Sequence, residues 1–228
     1  MGMKFLKGYG PVLILVALFI GLNLIFFFLC TAFNLVDVLS LSRNHPWGIF
    51  TSVFVHTDAD HLLNNFYGFF AWTTLFVLFT SPFSRTRRRV YGTGLIFIVL
   101  FSSFLTNALE LLIWEIRGTP SLISRGSSGL VYALLGATYS TATFRFLHEL
   151  GKLGQRLQTI RRSPFSHSVW FAMMRGVLVI SFVAVIPLRV FFAPEEFFGV
   201  APNVDVLGHS LGFLIGLIGF SFLSLYLK

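Results

Sequence analysis

Three short stretches of this chain carry residue types that together can break an acyl bond. The first runs from Thr51 to Asn65, with His56, His61 and Asn65 among apolar neighbours. His61 and Asn65 are four residues apart and share one helical face. Both offer side-chain donors that can converge on a developing negative charge. The same pair serves equally well as a polar cap with an interhelical hydrogen bond. The second stretch is Arg125-Gly126-Ser127-Ser128-Gly129, where glycines flank two serines as loop becomes helix. A serine there sits at the positive end of the helix dipole beside free amides, which suits a nucleophile whose attack creates an oxyanion. Read alone, such a serine is an N-cap. The third stretch, Asp205 to Gly216, holds His209, a base candidate if it meets a serine.

These residues must be positioned in a membrane. Of 228 residues, 55% are hydrophobic, 11% are charged and 29 are Phe, where a soluble chain carries about a quarter charged. A hydrocarbon core about 30 Å thick needs roughly 20 apolar residues per helix. Six apolar segments meet that length, at about 11–31, 61–80, 90–111, 127–147, 169–191 and 206–226. Arg175 and Arg189 fall near the ends of the fifth, where their guanidinium groups can snorkel. The expectation is an all-α integral membrane protein, one six-helix domain over residues 1–228, with a retained first segment and no appended domain.

Charge alternates between the loops. One side carries 13 of the 17 basic residues, including Lys4, Lys7, Arg85, Arg87, Arg88, Arg89, Lys152, Arg156, Arg161, Arg162 and Lys228, with Glu149 its sole acid. The other carries eight acids, Glu110 and Asp205 among them. By the positive-inside rule both termini are cytoplasmic and the three stretches face the extracytoplasmic side of the cell membrane. The net charge of +8 is therefore topological, and no nucleic-acid partner is expected. Small-residue stripes, Gly129-Ala133-Gly136-Ser140 and Gly208-Gly212-Gly216-Gly219, predict close packing of the fourth and sixth helices. That contact would bring Ser128 toward His209.

Metal chemistry is not expected. His56 and His61 are five residues apart, and no carboxylate is read inside a span, so a His/His/acid set is missing. An aspartyl mechanism, which needs two buried acids, is set aside for the same reason. Cys30, the one cysteine, excludes an intrachain disulfide and reads as a small apolar residue. The polar residues gather at one end of the bundle, whereas a transporter needs them along a full path. A non-catalytic binder of membrane helices would not require Ser128 and His209 together.

Taken together, the stretches resemble the rhomboid family of intramembrane serine proteases. His-x-x-x-x-His-Leu-x-x-Asn spans His56 to Asn65, Gly-x-Ser-Gly spans Gly126 to Gly129, and His-x-x-Gly-x-x-x-Gly spans His209 to Gly216. They occur in the family's order, in the second, fourth and sixth of six helices. The resemblance implies a rhomboid-type six-helix bundle in which Ser128 is the nucleophile and His209 its base. Tyr132 would stack on His209. Asn65, His61 and the Ser128 amide would form the oxyanion hole. His56 would be structural, Gly126 would belong to the serine motif, and Gly129, Gly212 and Gly216 would permit close packing. It also implies single-span membrane proteins as substrates, lipid as surroundings and no cofactor. The chain departs from the family's pattern at Trp47-Gly48, where Trp-Arg is frequent, and at Ser52, where some members carry a histidine.

Overall fold

The computed structural model describes residues 7–118, 123–151, 167–198 and 205–227. The expected basic residues Lys4, Lys152, Arg156, Arg161, Arg162 and Lys228 lie outside these. Six long helices dominate: α1 Gly10–Phe33, α4 Ala59–Thr80, α5 Arg85–Arg117, α6 Ser128–Leu150, α7 His167–Phe192 and α9 Val206–Tyr226. Between α1 and α4 lie two single-turn helices, α2 Val36–Leu39 and α3 Gly48–Thr51, and the 3-10 turn Ser52–Phe54. The short α8 Pro194–Phe198 follows α7. Among the described residues no β-strand forms; one isolated bridge joins Leu41 to Ser124.

Five of the long helices are long and apolar enough to cross a membrane: α1, α4, α5, α7 from Trp170, and α9. The exception is α6, although it is a helix over 23 residues as the sequence reading expects. Its position supplies the reason. Helices α4, α5, α7 and α9 all pack on it, and its buried positions include Ala133, Gly136, Ala137, Thr138, Ser140, Thr141 and Ala142. A helix surrounded by protein selects for small side chains and hydroxyls bonded back to the preceding turn, as Thr138 does to Leu134 at 2.8 Å and Thr141 to Ala137 at 2.9 Å. Lipid-facing surfaces carry the bulk instead: Phe28 on α1, Phe97 and Phe101 on α5, Phe191 on α7 and Phe222 on α9 are all exposed.

The seam between α6 and α9 is backbone against backbone. A Cβ on Gly212 would collide with the Gly129 carbonyl, one on Gly216 with the Ala133 carbonyl, and one on Gly136 with the Phe213 carbonyl. The two small-residue stripes thus interlock as their spacing predicts. Below the seam the core is aromatic, with Phe19 stacked on Phe69 at 3.8 Å and Phe220 edge-on to Phe76 at 5.5 Å.

Helix α5 corrects the sequence reading. Hydropathy marks 90–111, but the helix runs from Arg85 to Arg117, capped by the Ser84 hydroxyl and ended at Gly118 with φ 64°. Hydropathy reports only the stretch suited to lipid; the backbone stays helical until a residue favours the left-handed turn. The arginines of the first turns find partners elsewhere, Arg87 on the Leu227 carbonyl and Arg88 over the Tyr9 ring at 5.2 Å. At the other end Arg43 pairs with Glu115 at 3.0 Å and bonds the Trp114 carbonyl, tying the α1–α4 loop to α5. Glu110 therefore lies within the helix, fully buried, so one carboxyl group does sit inside an apolar span.

Candidate active site

The site forms where the first turns of α4, α6 and α9 meet. Helix α4 starts because Asp58, in extended conformation, accepts the His61 backbone N–H at 2.7 Å. That bond and the adjacent Thr57 hydroxyl, the larger cause, hold the Asp58 carboxyl below its ordinary range. With the start fixed, His61 and Asn65 project one turn apart toward the loop ahead of α6. Gly126 receives them: a Cβ there would sit 2.6 Å from the His61 ring and 3.6 Å from Asn65 Nδ2. Its φ of 101° also requires glycine. The Gly126 N–H is anchored to the Ser52 carbonyl at 2.8 Å.

His56 organises this corner. It is buried, and its Nδ1 donates to the Phe54 carbonyl at 3.3 Å, because a carbonyl can only accept. That tautomer leaves Nε2 to accept from Asn65 Nδ2 at 3.0 Å and from Ser127 Oγ at 3.4 Å. Burial first, and then the neighbouring His61 ring, lower the His56 pKa to about 4. One Asn65 amide hydrogen is thus held and the other remains to point into the site. Ser127 differs from the sequence expectation. It occupies the N-cap position of α6 but makes no side-chain cap bond, and its fully buried hydroxyl turns to His56.

Ser128, the first residue of α6, is half-buried. Its N–H belongs to the first turn, whose amides have no intrahelical acceptor. One turn on, the Tyr132 ring lies flat on His209, with centroids 4.3 Å apart and planes at 17°. His209 Nδ1 donates to the Phe198 carbonyl at 2.6 Å, and the Tyr132 hydroxyl donates to the Phe197 carbonyl at 2.5 Å. The His209 Nε2 lone pair is thereby left to accept a proton. No hydrogen bond joins Ser128 to His209 among the described residues; the seam sets the start of α6 beside the start of α9, with Gly129 packed near the Gly208 carbonyl.

The backbone carbonyls of α8 that hold His209 and Tyr132 were invisible to residue-type reasoning, since any residue carries a carbonyl. The departures at Gly48 and Ser52 have local explanations. A side chain on Gly48 would strike the Leu41 backbone. The Ser52 hydroxyl accepts from Asn107 Nδ2 at 3.0 Å, joining the loop to α5. Among the described residues no cluster of three metal-ligating side chains occurs.

The molecule is thus a polytopic helical membrane protein with serine, histidine and amide groups gathered at one end of the bundle. The family model described as the Rhomboid domain matches residues 43–225. The chain belongs to the rhomboid family, whose members are intramembrane serine proteases, some of them inactive. Comparison with curated proteins and with solved structures gives no match.

Proposed function

We propose that this chain is an active intramembrane serine endopeptidase that cuts transmembrane or juxtamembrane segments of single-span membrane proteins. The observation carrying this reading is the prepared base. His209 is stacked on the Tyr132 ring and held at Nδ1 by the Phe198 carbonyl, on one side of a seam whose other side begins with Ser128. A histidine with a purely packing role has no need of a fixed tautomer beside a helix start that carries a serine. In the reaction Ser128 Oγ attacks the peptide carbonyl as its proton passes to His209 Nε2. The resulting oxyanion is stabilised by Asn65, His61 and the Ser128 amide. Collapse of the tetrahedral intermediate returns the proton to the leaving amine, and water then hydrolyses the acyl-enzyme by the same base. No metal or cofactor takes part.

Helix α6 is the sixth span in this reading, shielded from lipid by its neighbours. The termini are cytoplasmic and the site faces the extracytoplasmic side, as the loop charges imply. A substrate helix hides its peptide bonds in hydrogen bonds and must unwind before attack, which favours Gly or Pro near the cut and a small residue at it. The test is cleavage of a model transmembrane substrate by wild type and Ser128→Ala. Equal cleavage by both proteins would overturn the proposal.

A further inference from the structure

Behind the site a fully buried acid, Glu110, meets a half-buried one, Asp205, and the proposed reaction uses neither. Glu110 is fully buried on α5, and neither of its oxygens meets a hydrogen-bond donor among the described residues. A Cβ on Gly208 would lie 2.6 Å from Glu110 Oε1 and 2.5 Å from Asp205 Oδ2, so the two carboxyl oxygens are within about 5 Å of each other. Two carboxylates this close, one of them fully buried, repel strongly, and a proton held between them removes the repulsion. The surroundings say where it resides. Asp205 Oδ1 accepts the Gly208 N–H at 2.8 Å and Oδ2 accepts the Ser124 hydroxyl at 2.7 Å, so both of its oxygens already hold donors. Neither Glu110 oxygen has a donor to itself, since the nearby Ser124 hydroxyl is given to Asp205, and a proton would make Glu110 the donor.

Asp205 joins parts that chemistry needs in register. It caps α9 four residues before His209 and holds Ser124 four residues before Ser128. Ser124 is itself paired with Leu41 through two 3.0 Å backbone bonds. We propose that Glu110 is a positioning residue: its protonated carboxyl donates to the Asp205 carboxylate and fastens both the start of α9 and the Ser128 loop to α5. This rests on the peptidase reading of Ser128 and His209. From α9 the titratable groups facing the pair are Asp205 and, one turn on, His209; from the loop ahead of α6 the facing group is the Ser124 hydroxyl.

The test compares full-length wild type with Glu110→Gln and Glu110→Ala in detergent micelles. Two quantities are read against pH: the rate of Ser128 labelling by a fluorophosphonate, and the thermal unfolding midpoint. A glutamine amide can donate to Asp205 as the protonated acid does. Glu110→Gln should therefore label within about threefold of wild type at neutral pH, and Glu110→Ala at least tenfold more slowly. Wherever rising pH removes the shared proton, wild type should lose labelling rate and midpoint together, while Glu110→Gln changes less in both. Glu110→Gln as slow as Glu110→Ala would show that a charged carboxylate is required and overturn the proposal. So would wild-type labelling by Glu110→Ala, or identical pH profiles for wild type and Glu110→Gln. If Glu110→Ala does not fold, the wild-type and Glu110→Gln profiles decide alone. Absence of Ser128 labelling in wild type would defeat the peptidase reading and the positioning role with it; the midpoint profiles would then still decide whether the pair holds a proton.

Discussion

Acid should dismantle the oxyanion corner through His56, and the size of the effect follows from its surroundings. In the unfolded chain this histidine takes its proton near 6.5; in the folded protein it does so only near about 4. Between those values the unfolded chain binds more protons, so the contribution is complete above 6.5 and is lost as pH falls through about 4. A shift of this size corresponds to about 3 kcal/mol, a large share of a typical stability. Function should be lost with it. A proton on Nε2 replaces the acceptor for Asn65 and Ser127 with a donor, so the Asn65 amide must turn away. The assay is the unfolding midpoint and kcat in detergent micelles between pH 7.5 and 4, for wild type and His56→Gln. Glutamine retains an acceptor but cannot take up the proton. Wild type should lose about 3 kcal/mol more than His56→Gln on acidification, with a steeper fall in kcat. Equal losses in the two proteins would refute the reasoning, because the acid sensitivity would then come from another group.

Three further outcomes are expected. Ser128→Ala should abolish substrate cleavage and fluorophosphonate labelling, whereas Ser127→Ala, which loses one hydroxyl bond to His56 worth about 1 kcal/mol, should retain substantial activity; the reverse pattern would show that the register of α6 at the site is wrong. Asn65→Ala and His61→Ala should each lower kcat by about 10–10³-fold while the proteins remain folded; unchanged kcat in both would return these residues to a packing role. Gly216→Leu should destabilise the bundle by about 1–3 kcal/mol or more, because its side chain must displace the Ala133 backbone; a wild-type unfolding midpoint would contradict the close seam.

Much of this arrangement was legible before any coordinates. The glycine spacings announced the α6–α9 contact because close backbone approach leaves a periodic trace in residue size. His61 and Asn65 could be placed on one face because helical geometry is local. Other parts leave no such trace. The anchor of His209 is the Phe198 carbonyl, and its identity as a partner depends on where α8 folds back. Glu110 was counted with the outer-side acids because it falls in the last turn of the 90–111 segment, yet α5 persists to Arg117 and the acid is buried within it. Ser127 read as a cap because its position is right; its rotamer follows from the burial of His56, a tertiary matter.

The composition of α6 bears on how the protein is made. A segment rich in Gly, Ala, Ser and Thr gains little from lipid, and α6 is the one long helix too polar to qualify as a span by itself. In the proposed six-span arrangement its residence in the bilayer rests on contacts with α4, α5, α7 and α9 rather than on its own hydrophobicity. Two of those partners, α7 and α9, are synthesised after it. On that arrangement the helix that begins with Ser128 settles only once the last helix has arrived, and the candidate site stays unassembled in the nascent chain until the bundle is complete.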